Sequence, residues 1–371
     1  MTTYESQKAT VEARKAVASS TAPVSRHEPA MNQYLTAAAH LSAPASRGPV
    51  PAAAEPIADR PTSLATRPEE RSGAQKPGHR TDLVVVGIDG SACARHAAQW
   101  AAAEATRRHG ALRLVHAYSL PPAGYSGYNP YPATLLAQLR EEGQTLLAGA
   151  AAALRREHPA LDISTHQAHG DTATVLRQTS AGALLTVIGA HGRSRVAVAL
   201  GSVAADIAAT NPVPVAVIRP GDTPDAGPVV VGVDGSATSE AAIAFAFDAA
   251  AVRGTGLVAV HSWTDSAIDG PVPSYSAVIV DPEPIANAER ILLAERLAGW
   301  ADKYPDVPVQ QVLAHDRPAP ALLKYAANAQ LIVVGTRGHG RLTSVLLGST
   351  SHVLISHAAC PVVIARAHPA G

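Results

Sequence analysis

The strongest chemical signal in this chain is a spaced pair of glycine turns near its C-terminal end. Gly335-Thr336-Arg337-Gly338 is followed, after nine residues, by Gly348-Ser349-Thr350-Ser351. Glycine has no Cβ, so backbone N–H groups beside it can approach an anion closely. A helix that opens at Gly348 and runs to about residue 357 would present unpaired N–H groups and a partial positive charge in its first turn. The hydroxyls of Ser349 and Thr350 can donate as well. The chemistry this suits is holding phosphate. The same residues also read as a chain turn with a helix cap, so the motif gains weight only from its surroundings. Arg337, His339 and Arg341 are nearby cations that fit either a phosphate-side or a solvated-loop role.

A second signal lies upstream, where Val229-Val230-Val231-Gly232-Val233 runs into Asp234-Gly235-Ser236. A carboxylate at the end of a buried strand is well placed to meet a ligand. Both signals occur twice. Val84-Val85-Val86-Gly87-Ile88-Asp89-Gly90-Ser91 precedes its copy by 145 positions, and His116 precedes His261 by the same interval. Gly189-Ala190-His191-Gly192 precedes Gly335-Thr336-Arg337-Gly338 by 146, and Gly201-Ser202 precedes Gly348-Ser349 by 147. A period near 145 is the size of a domain, so this is a duplication rather than a solenoid.

The elements that must position these residues alternate between strand and helix. The first half predicts strands at 83–88, 112–118, 162–168, 184–189 and 214–219. The second predicts them at 229–233, 257–263, 307–314, 331–335 and 361–366. Most are short Val/Ile/Leu runs, as strands covered on both faces require. In the helices, Ala241, Phe245, Ala249 and Val252 share one face, and so do Leu293, Leu297 and Trp300. Each half is therefore expected to be an α/β, doubly wound, parallel five-stranded sheet of order 3-2-1-4-5. Ligands of such sheets sit where the strand order reverses, at the carboxyl ends of strands 1 and 4. Asp89 and Asp234 end strand 1, and Gly189 and Gly335 end strand 4, so the separate signals meet in one crevice per half. The expected domains are 81–221 and 227–367. Residues 1–80 are rich in Ala, Pro, Ser, Thr and Arg without periodicity and predict a disordered arm, with a transient helix near 31–41.

These motifs resemble those of the universal stress protein family, in tandem. The spacing Gly-x2-Gly-x9-Gly-Ser resembles that family's ATP-binding signature, and Val-Gly-Val-Asp-Gly-Ser and Ala359-Cys360-Pro361-Val362 are similar to its opening and closing segments. By that resemblance Asp234 lies against adenine or ribose, with Gly232 and Val233 lining the base. Ser262 borders the adenine through its backbone, and Val334 and Gly335 pack near the ribose. Gly338, Gly348, Ser349, Thr350 and Ser351 hold the phosphates. Carried to the first half, the set is Asp89, Ala117, Gly189, Gly192, Gly201 and Ser202. There only eight residues separate Gly192 from Gly201, so the loop either closes, with Arg193 or Arg195 helping, or has lost ATP. The implied ligand is ATP, with or without magnesium, while AMP and cyclic AMP stay open. The implied role is stress-response or dormancy signalling through nucleotide-dependent conformation. A slow ATP hydrolase or adenylyl-transferring enzyme and a nucleotide-free interaction scaffold are the alternatives. Related proteins dimerise through the fifth strand, so the two halves are expected to form an intrachain pseudo-dimer, with a chain-level homodimer left open.

Bulk properties narrow the field further. With 30 basic and 30 acidic side chains in 371 residues, the chain has no general attraction to nucleic acid or anionic membrane. Two cysteines, Cys93 and Cys360, exclude a disulfide framework, suit a reducing cytoplasm and read as small core residues. No apolar run is long enough to span a bilayer, and no secretory signal is expected. Neither a P-loop nor a Gly-x-Gly-x-x-Gly fingerprint occurs. His166 and His169 fall on opposite strand faces, a poor metal pair, and His116 and His261 read as structural. No Ser–His–Asp or Cys–His arrangement supplies a catalytic base, so an enzyme is not the first expectation. The protein partner is not legible.

Overall fold

Buried Val, Ile and Leu strands dictate the architecture. The computed structural model describes residues 82–120, 133–192, 201–221, 226–264, 283–336 and 347–366. The arm 1–80, the segment 31–41, Arg193, Arg195, Arg337, Gly338, His339 and Arg341 lie outside the described residues. The first half runs β1 (Leu83–Gly87), α1 (Ala92–Arg107), β2 (Ala111–Tyr118), α2 (Ala133–Glu157), β3 (Asp162–His169), α3 (Thr172–Thr179), β4 (Leu185–Gly189), α4 (Ser202–Thr210) and β5 (Val215–Ile218). The second runs β6 (Val229–Val233), α5 (Ala237–Arg253), β7 (Leu257–Trp263), α6 (Glu283–Leu297), α7 (Trp300–Lys303), β8 (Val309–His315), α8 (Pro318–Ala326), β9 (Leu331–Gly335), α9 (Ser349–His357) and β10 (Val362–Ala365).

The ten strands form one sheet, ordered β3-β2-β1-β4-β5-β10-β9-β6-β7-β8. Each half thus has the expected 3-2-1-4-5 order, with parallel pairing throughout. The halves meet at their fifth strands, which pair antiparallel through Val217↔Val362, Ala216↔Val363 and Val215↔Ile364. Left unpaired, these fully buried apolar strands would be sticky edges. Joining them makes the expected intrachain pseudo-dimer. Observed strands are one or two residues shorter than expected at 214–219, 307–314 and 361–366. Pro214, Pro308 and Pro361 stand at the entries, and proline has no N–H for the ladder.

Strand side chains alternate between two cores. Val84, Val86, Val229 and Val231 face α1, α2, α5 and α6, whereas Val85 and Val230 face α3, α4, α8 and α9. Each core is continuous across the β5–β10 junction. One helix departs from expectation. The sheet side of α5 is Ala242, Ile243, Ala246, Phe247 and Ala250, all fully buried. Of the expected stripe, Ala249 is fully buried but Phe245 is only half-buried. That stripe turns toward the other half, where the Arg108 guanidinium lies over the Phe245 ring at 5.7 Å. The helix buries two faces, and the periodicity marked the one at the junction.

Candidate functional site

Strand 1 of each half ends in a hydrogen-bonded turn that starts the next helix. In the first half Asp89 Oδ1 accepts from the Ser91 N–H (2.9 Å), and Ser91 Oγ accepts from the Ala94 N–H (3.0 Å), capping α1. In the second, Asp234 Oδ1 accepts from the Ser236 N–H (2.9 Å) and the Ser236 hydroxyl (2.7 Å), and Ser236 Oγ accepts from the Ser239 N–H (3.2 Å). One oxygen of each strand-end aspartate thus shapes the turn. In the first half the other oxygen faces the cleft, since a Cβ on Gly192 would stand 3.0 Å from Asp89 Oδ2.

The glycines at the end of strand 4 have a packing reason as well. A Cβ on Gly189 would lie 2.8 Å from Cys93 Cβ and 2.9 Å from the Cys93 carbonyl carbon. A Cβ on Gly335 would lie 2.9 Å from Thr238 Oγ1 and 3.0 Å from the Thr238 carbonyl carbon. Only glycine lets α1 and α5 start this close to the sheet. A Cβ on Gly232 would lie 3.1 Å from Leu322 Cδ1 and 3.2 Å from Val334 Cγ1, and Val334 itself is buried.

The excursion after strand 4 returns by the same bond in both halves. The Gly201 N–H donates to the Ala190 carbonyl (2.9 Å), and the Gly348 N–H donates to the Thr336 carbonyl (3.0 Å). The spacing of eight residues between Gly192 and Gly201 and that of nine between Gly338 and Gly348 thus end in equivalent bonds. Gly201 and Gly348 are the N-caps of α4 and α9, in extended conformation, and neither helix has a side-chain cap. The first-turn N–H groups are thus left for something other than a capping side chain. Ser349 and Thr350 occupy the first turn of α9. Ser351 is committed elsewhere: it is buried and its hydroxyl donates to the Gly335 carbonyl at 2.9 Å.

In the first half these pieces enclose a cleft of about 280 Å³. Asp89, Ala117, Gly189, Gly192, Gly201 and Ser202 all line it. The sequence had singled out these six. It had not singled out Ile88, Ser91, Thr172, Leu176, His191 and Val203, which line it too. His191 and Ser91 sit inside motifs already noticed, whereas Thr172 and Leu176 come from α3, which carries no motif. In the second half Gly232 and Val233 end β6 and Asp234 follows it, Val334 and Gly335 end β9, and Ser262 lies in β7 opposite Ala314. Gly338 lies outside the described residues.

Strand-2 histidines fasten the end of strand 1. His116 Nδ1 donates to the Ile88 carbonyl and His261 Nδ1 to the Val233 carbonyl, each at 2.7 Å. His261 Nε2 also meets Glu289 Oε2 at 2.6 Å. Both cysteines are buried, and burial pushes the Cys360 thiol up to about 12, which keeps it protonated and unreactive. Among the described residues no group of three His, Cys, Asp or Glu could hold a metal, and no helix is long and apolar enough to cross a membrane.

Comparison with known proteins decides the family. The pattern of the Universal stress protein family matches twice, over residues 81–219 and 226–366. The chain belongs to the universal stress protein family, as a tandem member. A universal stress protein of Mycobacterium tuberculosis is 39% identical over 292 residues, covering 76% of this chain and 96% of that one. Another from the same organism is 38% identical over 305 residues, covering 76% and 94%. Among solved structures, a universal stress protein of Archaeoglobus fulgidus superposes with a TM-score of 0.58 at 17% identity, over 78% of this chain and 99% of its own, a likeness of fold.

Proposed function

We propose that this tandem universal stress protein binds adenine nucleotide at the carboxyl ends of its strands and acts as a nucleotide-dependent signalling protein in stress response or dormancy. ATP is the ligand this reading favours, with AMP and cyclic AMP as the alternatives. The observation that carries the reading is the pair of glycine-capped helix starts, at Gly201 and Gly348, whose first-turn N–H groups have no side-chain cap. An unpartnered helix N-terminus is a favourable seat for phosphate. In the first half that seat and Asp89 line the same cleft. The second half repeats the seat with Ser349 and Thr350 in the first turn, and with Gly338 expected to contribute its backbone. The role proposed is binding rather than fast catalysis. Occupancy would then shift the population of a conformer that a protein partner reads. The free, buried cysteines suit a reducing cytoplasm.

Mass spectrometry of small molecules released from freshly purified protein tests the reading. ATP or a breakdown product at near-stoichiometric amount is expected. Protein without nucleotide, unshifted in melting temperature by ATP, ADP, AMP or cyclic AMP, would instead leave the interaction scaffold. ADP or AMP release above background that disappears in Asp234→Ala would favour the slow enzyme.

A further inference from the structure

The junction between the halves holds a buried ion cluster that the binding reading does not use. Glu104, 1% exposed on α1, accepts from Arg108 Nε at 2.7 Å on its own helix. Across the junction it accepts from Arg253 Nη2 at 2.6 Å and Nη1 at 3.4 Å at the end of α5. Arg108 reaches Asp248 of α5 at 2.5 Å, and Arg107 adds a peripheral contact at 3.3 Å. Each arginine also lies over an aromatic ring of the opposite half, Arg108 on Phe245 (5.7 Å) and Arg253 on Trp100 (6.0 Å). The arginines and the aromatics obey the 145-residue repeat, but the central acid does not, because the counterpart of Glu104 is Ala249. The buried Glu104 carboxylate, with the more exposed Asp248 pairing Arg108, therefore fastens two helices that would otherwise present facing guanidinium groups.

Those two helices begin at the two candidate sites. Ser91 and Ala94, at the start of α1, line the first cleft, and Cys93 packs on Gly189. Ser236, at the start of α5, holds Asp234, and Thr238 packs on Gly335. A sixteen-residue helix is a rod about 24 Å long. The sterically tight glycine contacts leave little slack at one end of each rod, and the ion cluster leaves little at the other. Arg108 and Arg253 are 5% and 3% exposed, so a relative displacement of the helices is not cushioned by water or screened by salt. Burial works against ionised Glu104, but Arg253 and Arg108 outweigh it and hold its carboxyl below the usual range.

We propose that the Glu104 clamp couples the two sites: α1 and α5, pinned to each other at their far ends, carry the shift produced by a ligand in one half to the candidate site of the other. This rests on nucleotide binding at both helix starts. The coupling makes the tandem chain a two-input device rather than two independent binders.

Isothermal titration of the full chain with Mg-ATP tests it. Gly348→Val and Gly201→Val, each closing one seat, give the affinity of each site alone. The wild-type isotherm is expected to depart from the independent sum by at least about fivefold, the lower end of ordinary allosteric factors. Glu104→Gln is expected to return it to within about twofold of additivity, with both single-site affinities retained. Should Glu104→Gln fail to fold, Arg253→Lys, which keeps the charge but loses the two-pronged grip, takes its place with the same expectation. Additive binding in the wild type overturns the coupling and leaves nucleotide binding intact. Persistent coupling in the folded clamp variant overturns the role of Glu104. Absence of ATP heat in every chain removes both readings at once.

Discussion

The two halves of this chain share a frame and differ in how each closes its details. At the end of the first helix the chain must turn out through a left-handed residue. The second half uses Gly254 there (φ 61°), whereas the first half places His109 in the same conformation (φ 51°). At the phosphate-type seat the second half has nine residues between glycines and the first has eight, yet both return through one equivalent hydrogen bond. At the junction the first half supplies the buried acid and the second half supplies alanine. A duplicated fold thus tolerates divergence where a loop can absorb it. It becomes asymmetric where the halves meet, because one partner must complement the other rather than repeat it.

The largest effect that would break this comparison is at the junction. Glu104→Ala leaves Arg108 and Arg253 buried without their shared carboxylate and is expected to cost about 3–5 kcal/mol in urea unfolding. Next are the tight glycines. Gly189→Ala and Gly335→Ala each force a Cβ against backbone and are expected to cost about 1–3 kcal/mol by the same measurement. If one half tolerates the change freely, the two helix starts are not equivalent. Smaller still is the turn: His109→Gly is expected to stabilise by about 0.5–1 kcal/mol and Gly254→His to destabilise by about 1–2 kcal/mol, read as opposite shifts in melting temperature. At the bottom of the scale, Glu240→Gln, which breaks a half-exposed pair with Arg296, is expected to change stability by under about 1 kcal/mol.

Acid sharpens the asymmetry. The folded carboxyl of Glu104 lies below its ordinary value of 4.5 because Arg253 and Arg108 outweigh the penalty of burial. Its contribution is therefore fully present above pH 4.5 and is lost as pH falls through the lower folded value. Urea midpoints measured from neutral pH downward should fall with pH in the wild type and fall less steeply in Glu104→Gln.

Much of this was legible in the chain, for identifiable reasons. Val84–Val86 and Val229–Val231 are short runs with no polar interruption, which only strands covered on both faces accept. The duplication then tested each assignment against its copy. Of the six first-half cleft residues, Asp89, Gly189, Gly192, Gly201 and Ser202 followed from strand ends and glycine spacing, and Ala117 from the family resemblance. The remainder depended on distance in sequence. Leu176 and Thr172 reach the cleft from a helix with no motif of its own. Nothing near Glu104 marks it as buried, because the partner that makes burial tolerable, Arg253, is 149 positions away. The stripe at Phe245 was visible as apolar, but whether it met sheet or neighbour depended on a junction formed by the two fifth strands.

The central claim, that nucleotide phosphate sits on the glycine-capped helix starts, is tested most directly by a crystal structure of the full chain grown with Mg-ATP. Phosphate density within hydrogen-bond reach of the first-turn N–H groups of α4 and α9, with the base toward the ends of β1 and β6, is the expected result. Crevices filled by side chains, or nucleotide bound away from both helix starts, would contradict it.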